Sequence, residues 1–153
     1  MRIHFHHRIG SRDGQSVHLE ELMKALTALG HEVILVGPAA FAETNFGGSN
    51  GLVDRIKALI PAWLYEPLEI VYNVKAFLRL RAAVREHKPD IIYERFSLYL
   101  FAGVWLRRVT GLPLMLEVNS PLFEERAKND GLKLRRIGRW AQGYIWRNVD
   151  HLF

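Results

Sequence analysis

Residues 1–38 read MRIHFHHRIGSRDGQSVHLEELMKALTALGHEVILVGP, and this stretch decides the fold. Residues 2–6 and 32–36 are short apolar runs, typical of strands that are buried on both faces. Between them, residues 15–29 place apolar side chains at helical spacing on one stripe. Gly30 then ends the helix, since glycine accepts the left-handed backbone of a C-cap. The stretch therefore predicts a strand, a helix and a second strand.

The rest of the chain continues this alternation. Strands are predicted at 90–93, 114–118 and 150–153. Helices are predicted at 52–60, 65–87, 98–109 and 121–148, with a loop over 39–51 and a break near 129–131. Short strands buried between helices indicate one α/β domain over residues 1–153, a doubly wound Rossmann-like parallel sheet with flanking helices.

Composition narrows the class of protein. A chain of 153 residues with 49% hydrophobic and 24% charged residues suits one folded domain. The absence of cysteine excludes disulfides and thiolate metal sites. No apolar run approaches the ~20 residues of a membrane-spanning helix, and the N-terminus does not resemble a signal peptide. The net charge of +5 suggests an anionic partner, although a basic soluble protein with no such partner gives the same balance.

The loop after the first strand is a candidate anion site. Ligands of open parallel sheets bind beyond the carboxyl ends of the strands. Gly10 and Gly14 allow close backbone approach at a helix N-terminus, and Arg8 and Arg12 add positive charge. The alternative is a turn that glycine merely shapes. The glycines do not follow the dinucleotide fingerprint, no carboxylate closes the second strand, and no Walker phosphate loop is present, which argues against a nucleotide-dependent oxidoreductase.

Polar residues also end the third and fourth strands. We expect Glu94, Arg95, Glu117 and Asn119 to lie partly exposed on one rim, where carboxylate, guanidinium and amide groups suit polyol or phosphate recognition. A structural ion pair between a glutamate and Arg95 is the alternative. His18, in the first turn of the first helix, either faces the same cleft or packs. No histidine spacing resembles a zinc site, so we expect no metal.

The segment 128–147 combines basic and aromatic residues. Arg135, Arg136, Arg139 and Trp140 are the candidates for contact with an anionic membrane surface, helped by Tyr144 and Trp146. The alternative is a helix that packs its apolar face on the sheet and leaves its basic face solvated.

Taken in order, three stretches resemble the family-4-type glycosyltransferases. They are residues 2–38, the run KPDIIYERFSLYLFAGVWLRRVTGLPLMLEVNSPL over 88–122, and WRNVDHLF over 146–153. The resemblance spans essentially the whole chain. It implies a GT-B architecture, in which two Rossmann-like domains face each other across a cleft. The N-terminal domain there holds the acceptor and the C-terminal domain binds most of the sugar nucleotide.

The resemblance also implies roles for particular residues. Gly14, Gln15 and His18 correspond to the family's loop near the donor diphosphate and the acceptor. Asn119 stands where the family often has a histidine that touches the transferred sugar. An amide can still bind a hydroxyl there, but it cannot act as an acid or a base.

The family's donor motif, E-x7-E, is not found in this chain. The pairs Glu86/Glu94 and Glu117/Glu125 have that spacing by chance, across different elements. We therefore expect the donor-binding domain to lie outside these residues and the chain alone to be inactive.

The expected function is the N-terminal domain of a retaining, sugar-nucleotide-dependent glycosyltransferase of polysaccharide or glycolipid synthesis. Its expected partners are a sugar or lipid-linked acceptor, the donor domain and an anionic membrane at the cytoplasmic face, but no nucleic acid. The sugar nucleotide is a co-substrate, and no cofactor or metal is implied. The alternative is a non-catalytic module that binds a phosphate or a lipid.

Overall fold

The computed structural model describes residues 1–8, 14–37, 62–128 and 132–153. Within them the strands are β1 (Arg2–His6), β2 (Glu32–Val36), β3 (Ile91–Arg95), β4 (Leu114–Glu117) and β5 (His151–Leu152). The helices are α1 (Gly14–Ala28), α2 (Ala62–His87), α3 (Ala102–Thr110), α4 (Leu122–Lys128) and α5 (Arg135–Arg147). The predicted loop over 39–51, the helix over 52–60 and the break at 129–131 lie outside the described residues.

The five strands form one parallel sheet in the order β2-β1-β3-β4-β5. From β1 the chain first adds β2 on one side. It then crosses to the other side of β1 and adds β3, β4 and β5 in turn. This is the doubly wound arrangement, and the predicted fold class is confirmed.

The two faces of the sheet carry separate cores. Phe5 and Tyr93 are paired in register and pack with Leu19 of α1 on one face. Ile92 and Leu116 belong to the larger core on the other face, which α2, α3, α4 and α5 cover. Neighbouring residues of a strand point to opposite faces, so the position of a residue in its strand determines which of the two cores its side chain faces.

Glycine ends two helices in the conformation that the sequence predicts. Gly30 has φ +81° and Gly111 has φ +72°, in the left-handed region that other residues rarely adopt. The Gly111 amide donates to the Arg107 carbonyl and closes the last turn of α3.

Helices α3 and α5 lack side-chain caps of their own, because Phe101 and Leu134 occupy their N-cap positions. Helix α2 supplies the missing acceptors. The buried Asn73 Oδ1 accepts from the Phe101 and Ala102 amides at 2.5 and 3.1 Å. Buried Glu66 accepts from the Lys133 and Leu134 amides at 2.5 and 3.1 Å. One helix therefore satisfies amides at the N-terminus of α3 and in the two residues that precede α5.

The sequence predicts that the helix after the third strand begins at residue 98, but α3 begins one turn later, at Ala102. Residues 98–101 form a buried turn instead, and the Asn73 Nδ2 donates to the Tyr99 carbonyl at 2.6 Å. Apolar periodicity cannot distinguish such a buried turn from the first turn of a helix.

Candidate functional site

Three strands deliver polar residues to the carboxyl edge of the sheet. His7 and Arg8 follow β1, Arg95 ends β3, and Glu117 and Asn119 end and follow β4. The winding direction reverses between β1 and β3, and such a switch point is where open α/β sheets bind ligands.

Glu117 is the centre of a hydrogen-bonded cluster at this edge. Its Oε1 lies 3.0 Å from His18 Nε2 and accepts from Asn119 Nδ2 at 2.7 Å. Its Oε2 accepts from the Tyr93 hydroxyl at 3.0 Å. The residue is only 8% exposed, so its partners, rather than water, hold the carboxylate in place. The cluster ties the first turns of α1 to the end of β4.

The titration of Tyr93 and the geometry of His18 define what this cluster offers chemically. Burial, reinforced by Glu117, raises the pKa of Tyr93 well above its usual value, so the phenol remains a neutral donor. The His18 side chain is 53% exposed. When Glu117 is ionised, His18 Nε2 donates to it, and a neutral ring then keeps Nδ1 as an acceptor. His18 Nδ1 can therefore accept from a hydroxyl group, and Asn119, which gives one N–H to Glu117, has a second N–H with which to donate.

The structure brings together three of the predicted site residues, His18, Glu117 and Asn119. Gly14 and Gln15 begin α1, about one turn before His18. The loop that precedes Gly14 lies outside the described residues. The contact between His18 and Glu117 brings the first turns of α1 to the end of β4.

The predicted exposure of Glu94 and Glu117 at the rim is wrong, since both side chains are buried. Glu94 is fully buried, and its Oε2 lies 2.5 Å from Nδ1 of buried His6. Its neighbour Arg95 points to the opposite face, because side chains alternate along a strand. Glu94 points under α3, where a Cβ at Gly103 would clash with its carboxylate oxygen. Glu94 is therefore walled off from any ligand in the cleft.

A cleft of about 280 Å³ opens beside the Glu117 cluster. Its lining residues are Arg8, Arg95, Phe96, Ser97, Asn119, Ser120, Leu122 and Arg126. Arg126, in the helix that follows the β4 loop, is not among the site residues that the sequence pattern predicts. The signal available was position, because α4 begins five residues after the end of β4 and its first turns stay close to the edge.

The basic helix α5 exposes the four residues predicted to contact a membrane. Arg135, Arg136, Arg139 and Trp140 are exposed, and Trp140 is 59% accessible. Trp146 is instead half-buried against Phe96, with ring centroids 5.7 Å apart. Among residues 1–8, 14–37, 62–128 and 132–153, no helix is long and apolar enough to span a bilayer. In the same residues, no group of three or more His, Asp or Glu side chains is placed to hold a metal ion.

The parallel sheet in this order, with its polar carboxyl edge, defines the chain as a doubly wound Rossmann-like α/β domain. Residues 13–153 match the family described as the glycosyl transferase 4-like domain, and the chain belongs to that family.

The fold also matches a solved structure. The crystal structure of MurG from Acinetobacter baumannii superposes with a TM-score of 0.55 at 13% sequence identity. The match covers 99% of this chain and 40% of the MurG chain, so this chain spans about two fifths of that protein. At that identity the likeness concerns the fold. No curated protein sequence gives a significant match.

Proposed function

We propose that this chain is the acceptor-side domain of a glycosyltransferase that uses a sugar nucleotide. The proposed reaction transfers the sugar, with retention of its anomeric configuration, to a polysaccharide or lipid-linked acceptor. The observation that carries the proposal is the Glu117 cluster, which places His18 and Asn119 together at the carboxyl edge of a domain of this family.

The cluster assigns a role to each of its members. Asn119 and His18 hydrogen-bond hydroxyl groups of the acceptor, and Glu117 holds both side chains in position. The N-terminus of α1 begins at Gly14 near the same edge, and the positive end of its dipole stabilises the departing nucleoside diphosphate. Basic groups of a separate donor-binding domain complete the site, so the chain alone transfers nothing.

A reassembly experiment tests this proposal. The chain is mixed with a separately expressed donor domain of the same family, and release of nucleoside diphosphate is followed over a panel of sugar nucleotides and acceptors. We expect turnover only when both parts are present, and a product whose anomeric signals in NMR show retention. Turnover by the chain alone would refute the proposal that donor binding requires a second domain, and a product of inverted configuration would refute retention.

Replacing Asn119 with alanine is expected to reduce transfer by the reassembled enzyme about two- to tenfold, the range for one lost hydrogen bond. Stability should change little, because Asn119 is exposed and bonds only to Glu117 among the hydrogen bonds described. The matched control is Asn148→Ala, at the end of α5, which should leave transfer unchanged. An Asn119→Ala variant that transfers normally would remove Asn119 from the site.

We further propose that the domain is peripheral at the cytoplasmic face of a membrane and binds it through α5. Trp140 and Ile137 are large exposed apolar residues of this helix, and Arg136 and Arg139 are exposed beside them. The rings of Trp140 and Phe101 lie 5.9 Å apart, which fixes the indole against the core. Arginines around an anchored indole suit an anionic lipid surface.

Vesicle co-sedimentation tests the membrane proposal. The double variant Arg136→Gln/Trp140→Ala should bind anionic vesicles at least about fivefold more weakly, since one basic residue contributes about 1 kcal/mol at such a surface. The control is Lys24→Gln/Val17→Ala, which removes one charge and one exposed apolar side chain from α1 on the opposite face of the sheet. Binding should also fall with salt. Binding that does not change with salt concentration, or equal binding by the two variants, would favour the alternative in which α5 only packs on the sheet.

A further inference from the structure

The cleft beside the Glu117 cluster has the charge of an anion site. Three of the residues that line it are arginines, Arg8, Arg95 and Arg126, and none of those lining residues is acidic. They come from three different segments, after β1, at the end of β3 and in α4. Guanidinium groups that converge from separate elements suit the bidentate recognition of phosphate oxygens.

Arg8 and Arg126 share one carboxylate. Glu69 of α2 lies 3.4 Å from Arg8 Nη1 and accepts from Arg126 Nη1 at 3.1 Å. Because the two guanidinium groups share the single carboxylate of Glu69, the three side chains together carry a net positive charge. Glu69 thus stands where an incoming anion would compete for the same donors.

Aromatic rings hold both guanidiniums in place. The Arg8 Cζ lies 5.2 Å from the centre of the Tyr72 ring, and the Arg126 Cζ lies 5.7 Å from that of Tyr99. The two side chains are 24% and 31% exposed, so they are largely desolvated and already oriented. Both conditions strengthen the binding of an anion and reduce the entropy lost on binding.

The cleft adjoins the proposed transfer site through Asn119, which lines the cleft and bonds to Glu117. We propose that the cleft binds the phosphate of a phosphorylated acceptor, with Glu69 as the counterion that this phosphate displaces. The inference rests on the proposed glycosyltransferase function, and it restricts the acceptor to molecules that carry a phosphate near the hydroxyl that is glycosylated.

Phosphate binding by this chain can be measured without any sugar donor. Inorganic phosphate is titrated at constant ionic strength, and the dissociation constant is obtained from the rise in Tm. Arg126→Gln should weaken binding at least about tenfold, as the loss of hydrogen bonds to a charged group predicts. Arg81→Gln, which removes the same charge from an exposed position of α2, should leave the affinity unchanged.

Glu69→Gln is expected to raise the affinity for phosphate, whereas Arg126→Gln lowers it. Partial unfolding of a variant would not raise the affinity. With the competing carboxylate removed, the variant should bind phosphate several-fold more tightly than the original chain. Equal affinities for Arg126→Gln and Arg81→Gln, or no gain in Glu69→Gln, would overturn the proposal. Since no transfer is measured, failure here leaves the proposed reaction standing, and failure of the reassembled enzyme leaves the phosphate site standing.

Two further arms identify the source of the phosphate. Tighter binding of glucose 1-phosphate than of inorganic phosphate supports a soluble phosphosugar acceptor. Retention by phosphatidylcholine vesicles that contain phosphatidic acid, but not by phosphatidylglycerol vesicles of equal surface charge, supports a lipid-borne phosphomonoester. Absence of binding in both arms and to inorganic phosphate overturns the site.

Discussion

Replacing Glu66 with alanine is expected to lower the free energy of unfolding by about 3 kcal/mol, because three donors lose their acceptor. Glu66 accepts from the Tyr99 hydroxyl at 2.5 Å as well as from the Lys133 and Leu134 amides. Burial, reinforced by Glu66, also raises the pKa of Tyr99 well above its usual value, so the phenol remains a donor throughout. Urea unfolding followed by circular dichroism measures the loss.

Two variants bracket this result. Glu66→Gln keeps one carbonyl oxygen and should recover part of the stability, whereas Glu69→Ala, one turn along the same helix, should cost less than about 1 kcal/mol as a partly exposed ion pair does. If Glu66→Ala were no more damaging than Glu69→Ala, the capping role of Glu66 would be wrong.

Acidification is expected to destabilise the chain between pH 6.5 and 4 through two buried histidines. Burial, followed by the charges of His87 and Arg2, lowers the pKa of His4 from 6.5 to about 4. Burial, followed by the charges of His6 and Arg95, lowers that of His7 from 6.5 to about 4. The unfolded chain therefore binds protons at a higher pH than the folded chain, and stability is full above 6.5 and falls as the pH drops.

The expected loss is about 1–2 kcal/mol for each histidine at about pH 5, from the linkage between pKa and stability. His4→Leu should lose less stability on acidification than the original chain, while its stability at neutral pH changes by less than about 1.5 kcal/mol, as volume-conserving core changes do. Urea midpoints at several pH values provide the measurement. A slope against pH that His4→Leu leaves unchanged would contradict the assignment to His4.

The order and type of the elements could be predicted from the sequence, because each has a strong local signal. The apolar runs at residues 2–6 and 32–36, and the glycines at 30 and 111, mark element ends that the structure confirms. The start of α3 could not be placed, because its cap comes from Asn73, which is 28 residues away from Phe101. A cap supplied by another helix leaves no trace in the local sequence.

The candidate site could be predicted only in part, because it too depends on contacts between elements that are distant in the chain. Strand ends identify the edge of the sheet, and so Glu117 and Asn119 were found. Which of two adjacent residues points to a given face depends on register and on the helices above, and Glu94 was misplaced on that account. The roles of Arg126 and Glu69 depend on contacts between α4, α2 and the segment after β1, which no spacing within the chain reveals.

The dependence of α3 and α5 on α2 has a consequence for how the domain opens. Asn73 binds the first amides of α3, and Glu66 binds the amides of the two residues before α5, so both N-termini lose these acceptors once α2 detaches. Native-state hydrogen exchange should therefore show the amides of Phe101, Ala102, Lys133 and Leu134 exchanging with one common opening free energy, as a single cooperative unit. Although α3 and α5 are far apart in the chain, the N-terminus of α3 and the residues just before α5 should become labelled together.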